Sequence, residues 1–311
     1  MILGAGQLGS RHLQALKGVS TPLDIYVVDP SEQSLRIAKD RFDTSKTSGG
    51  NHKVNYLSDL DSVGHSFDIA IVATNSDARR TAIEKLSAQS QVAFFILEKL
   101  LFQRDEDYSA ISRLLHNKGS KAWVNCTMRY VSFYANLKPE IAGTKIHYNV
   151  YGSNFGLVTN AIHYLDHIAY LTECVDFVVD TSHLSEKPIE SKRKGFLEFN
   201  GVLKSVFADG SEGNFVCSEN GDAPVLVQIF SEKVRFLSRE NEGKAWIARS
   251  ADNWRWNEIE ARVPYQSEMT GKLVEGILME GTCPLVDYEQ SAKIHMNLLR
   301  PLLAHLNQNS G

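Results

Sequence analysis

The chain has 311 residues, about twice the usual length of one domain, so two domains are expected, each able to build a core. Hydrophobic residues make up 43% and charged residues 23%, a balance that excludes a disordered chain. A net charge of −4 excludes the basic excess of a nucleic-acid binder, and a mean hydropathy of −0.23 with only short apolar runs excludes a bilayer-spanning helix.

The first 120 residues alternate between strand and helix. Met1, Ile2 and Leu3 form a short apolar run that stops at Gly4. Three residues are fewer than a central parallel strand normally has, so residues completing it are expected upstream. A helical pattern follows through Leu8, His12, Ala15 and Leu16. Strand 23–29 ends on Asp29, and helix 31–42 comes next. Residues 68–74 and 92–97 read as buried strands, with helices at 78–89 and 105–117 and a last strand near 122–126. Such alternation indicates βαβ units and a mostly parallel sheet. Beyond residue 125 the pattern changes. Helices are expected at 133–141, 157–171 and 288–306, and strands at 145–151, 195–199, 203–208, 214–217, 225–230, 234–237 and 245–248. Asn200-Gly201, Asp209-Gly210 and Asn220-Gly221 supply turn signals between them. The expected fold is therefore an α/β domain with a doubly wound, mostly parallel sheet over 1–122, then an α+β domain with an open, mostly antiparallel sheet over 123–311.

Gly4-Ala5-Gly6-Gln7-Leu8-Gly9 follows a strand and opens a helix, and Asp29 stands at the next strand end, 20 residues after Gly9. That context makes the glycine pattern a dinucleotide-binding signature of the Rossmann type. Gly4 permits the tight turn, Gly6 lets the backbone approach a pyrophosphate, and Gly9 allows helix and strand to pack closely. Free N–H groups of the helix start, at Gln7 and Leu8, face the diphosphate. Asp29 would accept from the adenosine ribose hydroxyls and repel a 2′-phosphate, so NAD is expected rather than NADP. Arg36 is the one cation on the following helix expected to offset that repulsion, and it is expected to face solvent.

The order of motifs resembles the glucose–fructose oxidoreductase/inositol dehydrogenase/MocA (Gfo/Idh/MocA) family. Gly4–Gly9 with His12, Ala15 and Leu16 is similar to its opening. Thr74, Asn75 and Ser76 stand where that family places a loop against the nicotinamide-side ribose. Glu98-Lys99-Leu100 resembles its Glu-Lys-Pro motif, Arg129-Tyr130 the end of its Asn-Arg-Arg-Phe segment, and Ala161–Asp166 its Gly-x-His-x-x-Asp helix. The resemblance implies cofactor contacts at Thr74, Asn75, Ser76, Glu98 and Lys99, and substrate contacts at Lys99, Arg129, Asn160 and His163. It also implies a carbohydrate-type substrate and pairing of subunits through the second sheet. The sequence departs from the family at Leu100 in place of proline, Ala161 in place of glycine, Thr127-Met128 in place of Asn-Arg, and Thr159 in place of an aspartate.

Hydride transfer from an alcohol needs a base for the hydroxyl proton and a cation for the developing alkoxide. Lys99, just past a buried strand, and His163, on helix 157–171, are the catalytic candidates. Glu98 would fix Lys99, and Asp166, one turn beyond His163, would orient its ring. Asn160, His163 and His167 share a helical face. His163 and His167 have the spacing of a metal pair, but no HExxH glutamate or third ligand accompanies them, and no metal is expected. Trp254, Trp256 and Tyr265 suit either a sugar-stacking wall or a packed interface. The reading is an NAD-dependent oxidoreductase of a sugar, nucleotide-sugar or polyol hydroxyl or carbonyl. Its alternatives are a dinucleotide-binding sensor without chemistry and a redox-neutral epimerase or lyase. Four scattered cysteines, without a CxxC pair, and the absence of a cationic start leading into an apolar segment suggest reduced thiols and a cytoplasmic protein. No nucleic-acid or membrane partner is expected. Apolar residues of both parities in 225–230 and 234–237 suggest a sheet buried on both faces, hence a homodimer or homotetramer.

Overall fold

Runs such as Phe67–Val72 (FDIAIV) and Val92–Leu97 (VAFFIL) are too apolar for a strand with a wet face, and they form the centre of a parallel sheet. The computed structural model describes residues 1–61, 63–64 and 66–308. It divides into two units, Met1–Asn125 with Pro264–Ala292, and Cys126–Val263 with the chain from Lys293 onward.

In the first unit the elements run β1 (Ile2–Leu3), α1 (Gln7–Leu16), β2 (Asp24–Val28), α2 (Glu32–Thr44), β3 (Lys53–Leu57), β4 (Phe67–Val72), α3 (Arg79–Gln89), β5 (Val92–Leu97), α4 (Asp105–Lys118) and β6 (Lys121–Val124). In the second come short α5 (Ser132–Ala135) and α6 (Leu137–Ile141), β7 (His147–Ser153), α7 (Leu157–Thr172), β8 (Phe177–Leu184), β9 (Ile189–Glu190), β10 (Leu197–Glu198), β11 (Gly201–Phe207), β12 (Glu212–Ser218), β13 (Leu226–Phe230), β14 (Val234–Arg239), β15 (Lys244–Arg249) and β16 (Trp256–Glu260). The chain then returns to the first unit with α8 (Gln266–Glu280) and β17 (Val286–Asp287), and α9 (Tyr288–Gln308) ends the described part.

The first sheet has the order β17-β6-β5-β4-β1-β2-β3, parallel throughout except for β17. β1 lies between β2 and β4, so the sheet changes winding direction there, which opens a crevice at the carboxyl ends of these strands. The second sheet has the order β16-β15-β14-β13-β7-β12-β11-β8, antiparallel except where β12 runs beside β7. β9 and β10 form a separate hairpin.

Several expectations shift in detail. One boundary, at 122/123, is expected from the sequence, whereas residues 264–292 rejoin the first unit. Gly271 explains how: a Cβ there would lie 2.8 Å from the Ala15 carbonyl oxygen, so its absence lets α8 lie against α1. The same glycine, with Gly276, lowers helix propensity and masks α8 in the sequence. The helix expected at 133–141 is two short ones, because Pro139 has no N–H to donate to Ala135. Asn200-Gly201 is not a hairpin turn, since β10 pairs with β9. In β13, Val227 and Ile229 are buried while Leu226, Gln228 and Phe230 are half-buried, so one face of this strand is fully covered within the chain and the other only partly.

Candidate functional site

The glycine loop connects β1 to α1. Gly4 has φ +87°, and a Cβ on it would press on the Thr74 backbone nitrogen at 2.9 Å. A Cβ on Gly9 would lie 1.7 Å from the Gly4 carbonyl oxygen, so no side chain fits there. At Gly6 a Cβ would meet nothing within 4 Å, leaving this backbone open to a ligand. No side chain caps the first turn of α1, and no acid stands in it, so its N–H groups and dipole favour an anion. Asp29, just past β2, is tied to this loop. Its Oδ2 accepts from the Ala5 N–H at 2.6 Å, and its Oδ1 accepts from the Ser31 N–H at 2.8 Å. Arg36 faces solvent and pairs with Glu32 at 3.6 Å. The cation that does reach the loop is Arg41, which sequence reasoning did not single out. It donates to Ser10 Oγ at 2.5 Å and to Gln7 Oε1 at 3.0 Å.

Thr74 and Glu98 follow β4 and β5, so the candidate residues 74–76 and 98–99 share one edge of the sheet with the glycine loop. Thr74 Oγ1 is buried without a hydrogen-bond partner. Ser76 Oγ accepts from Gln103 at 3.4 Å. Lys99 is half-buried, and the Lys99–Leu100 peptide is cis. Glu98 is 3% exposed and turned into the protein. Its Oε1 accepts from His12 Nε2 at 2.9 Å and from the Asn125 amide at 2.6 Å. His12 Nδ1 shares a hydrogen bond of 2.8 Å with Thr270 Oγ1. Gln266 closes the ring, donating to Thr270 at 2.8 Å and accepting from Asn125 at 2.9 Å. Burial pushes the Glu98 carboxyl up, but the hydrogen bonds and charge of His12, the Asn125 amide and the charge of Arg79 together hold it below the ordinary carboxylate range. Glu98, the residue before Lys99, is thus anchored to α1 through His12, and His12 and Asn125 tie it in turn to Thr270 and Gln266 of α8.

In the second unit, α7 carries the other candidates. Between Ala161 and Ala169 His163 is the one residue that is not buried. Asn160 spends its amide on the Phe155 and Gly156 carbonyl oxygens, at 2.6 and 3.0 Å. Both carboxylate oxygens of Asp166 accept from Arg129, at 2.9 and 2.7 Å, and this guanidinium also lies over the Tyr170 ring. The structure therefore pairs Asp166 with Arg129 through both carboxylate oxygens. His167 does not share the open face of His163. It is fully buried, shares a hydrogen bond of 3.0 Å with the Tyr148 hydroxyl, and burial lowers its pKa to about 3. Thr159, standing where the family pattern has an aspartate, donates to Glu198 Oε1 at 2.6 Å, and Glu198 Oε2 accepts from the Val158 N–H at 2.7 Å. Glu198, 4% exposed, so caps α7 from outside the helix. Nothing in the local sequence marks it. Trp256 lies on the edge strand β16, and Arg235 stacks on Trp254 at 4.7 Å. Tyr265, in the first unit, is exposed.

A parallel sheet with a glycine loop and acid at its crevice, joined in one chain to an open, mostly antiparallel sheet, is the two-domain fold that the Gfo/Idh/MocA resemblance implies. No protein-family model and no curated sequence matches the chain. Solved structures do, over nearly its whole length. One is an oxidoreductase from Agrobacterium radiobacter in complex with NAD+, L-tartaric acid and magnesium, with a TM-score of 0.72 and 15% identity over 99% of this chain and 96% of that one. Another is the UDP-N-acetylglucosamine 3-dehydrogenase GnnA from Acidithiobacillus ferrooxidans, with a TM-score of 0.74 and 12% identity over 99% and 98%. A third is biliverdin reductase from Synechocystis in complex with biliverdin and NADP+, with a TM-score of 0.69 and 13% identity over 99% and 97%. The fold is thus one that oxidoreductases share. Among the described residues no helix is long and apolar enough to cross a membrane.

Proposed function

We propose that this protein is an NAD-dependent oxidoreductase acting on a hydroxyl or carbonyl of a sugar, nucleotide-sugar or polyol. The observation that carries the cofactor half is the closed geometry of Gly4, Gly6, Gly9 and Asp29, with open backbone at Gly6 and an uncapped helix start. These residues fit a dinucleotide. The α1 N–H groups would hold the pyrophosphate, and Asp29, held by two backbone N–H groups, would accept from the adenosine ribose. Thr74, Asn75, Ser76 and Lys99 would meet the other half of the cofactor. NAD, when bound, supplies the hydride acceptor.

In this reading Lys99 holds the reacting oxygen and offsets its developing charge, while His163 takes or returns the hydroxyl proton. Arg129 and Asn160 support the substrate end. The sugar-type substrate is suggested by the motif resemblance and by the activity of the Acidithiobacillus neighbour. We also infer a homodimer or homotetramer joined through the second sheet, on which Tyr151 and Val206 leave apolar surface exposed. The sensor reading draws support from one feature: Asn160, Arg129 and Thr159 all hydrogen-bond within the chain.

Fluorescence titration with NADH, followed by NADH consumption over a panel of sugar-derived ketones, tests the proposal. Binding with turnover supports the enzyme. Binding without turnover on any ketone selects the readings without net redox chemistry, the sensor and the redox-neutral epimerase or lyase, and no binding removes all three.

A further inference from the structure

Arg79, the first residue of α3, is 1% exposed. Its guanidinium joins two loops. Nη2 donates to the Thr74 carbonyl oxygen at 2.5 Å, and Nη1 donates to the carbonyl oxygens of Leu100 and, at 2.8 Å, Leu101. Thr74 opens the loop that carries Asn75 and Ser76, and Leu100 and Leu101 directly follow Lys99.

This placement is costly. A guanidinium leaves water for the protein interior, at the end of a helix whose dipole already disfavours a cation. A buried apolar residue would fill the space without that cost. What an arginine adds is a rigid fork of donors long enough to serve two chain segments at once. The two segments flank one part of the sheet edge. Along the strand order, β4 and β5 lie on one side of β1, and β2 with Asp29 lies on the other. A dinucleotide laid across the crevice at β1, with its adenosine ribose at Asp29, places its nicotinamide half over the ends of β4 and β5.

We propose that Arg79 is a positioning residue for the nicotinamide half of the dinucleotide site, fixing loop 74–76 against loop 99–101. The proposal rests on the dinucleotide reading above. The carbonyl oxygens that Arg79 holds belong to Thr74, Leu100 and Leu101, beyond the ends of β4 and β5, so its loss is expected to act on one half of the ligand more than on the other. The measurement is the affinity of the full-length protein for NADH and for ADP-ribose, which lacks the nicotinamide, in the wild type, Arg79→Met and Arg79→Lys. In Arg79→Met, NADH is expected to bind at least about tenfold more weakly while ADP-ribose changes less than about twofold. Arg79→Lys keeps the charge but not the fork, and recovers part of the NADH affinity. A merely structural role would weaken both ligands together.

Parallel loss of NADH and ADP-ribose, or unchanged NADH affinity in Arg79→Met, overturns the proposal and leaves the dinucleotide reading standing. A wild-type protein that binds neither ligand overturns both. Should Arg79→Met not fold, Arg79→Lys decides: selective weakening of NADH supports the proposal, and equal effects on both ligands refute it.

Discussion

Replacing His12 with alanine is expected to be among the most damaging single changes in the first unit. The His12 ring is buried between Glu98 and Thr270 and makes a hydrogen bond with each nitrogen. Its removal takes the hydrogen-bonded histidine from a carboxylate that is 3% exposed, leaving the donation from the Asn125 amide and the more distant charge of Arg79. Breaking a buried pair from one side costs about 3–5 kcal/mol, because the stranded charge is not rehydrated. At about 2–4 °C per kcal/mol for a domain of this size, the melting temperature should fall by roughly 6–20 °C. Glu98→Gln removes the charge and keeps the shape, so in the His12→Ala background it should recover part of the loss, a coupling of about 0.5–3 kcal/mol. The pH dependence gives a second reading. The Glu98 carboxyl is held below its ordinary value of 4.5 in the folded protein, so its contribution is fully present above that value. It is lost as pH falls through the lowered folded value. Glu98→Gln should therefore flatten the acid side of the stability profile. Calorimetric melting of the four proteins between about pH 3 and 8 is the assay. A His12→Ala melting point within about 2 °C of wild type, or additive effects of the two changes, would refute the reasoning.

Three further outcomes follow from the dinucleotide and catalytic assignments. Asp29→Ser should erode a preference of at least about tenfold, or 1.4 kcal/mol, for NADH over NADPH; equal affinities in the wild type would show that Asp29 does not meet the ribose. Lys99→Ala should lower turnover by about two orders of magnitude or more, a loss far larger than any loss of NADH affinity, and wild-type turnover would remove its assigned role. Gly9→Ala puts a Cβ 1.7 Å from the Gly4 carbonyl oxygen, so NADH binding should be abolished or the first unit destabilised. An alanine variant with normal melting and normal NADH affinity would contradict the loop geometry.

The sequence by itself determined the features that depend on neighbours along the chain. The alternation of buried strands with amphipathic helices, the spacing of Gly4, Gly6 and Gly9, and Asp29 at the end of β2 all follow from local periodicity and turn stereochemistry. His163 was legible as a helix residue, and it is the one left unburied between Ala161 and Ala169. Tertiary structure decided what each polar group in the site spends its hydrogen bonds on. His12 meets Thr270 across 258 positions of sequence, Asn125 meets Gln266 across 141, and Thr159 meets Glu198 across 39. No local pattern encodes such pairs, because burial makes a partner obligatory without specifying which part of the chain supplies it. The same holds for Arg79, whose three carbonyl partners come from two different loops. It holds too for α8, whose interior glycines read as helix-weakening in sequence, while in the fold Gly271 lets two helices approach.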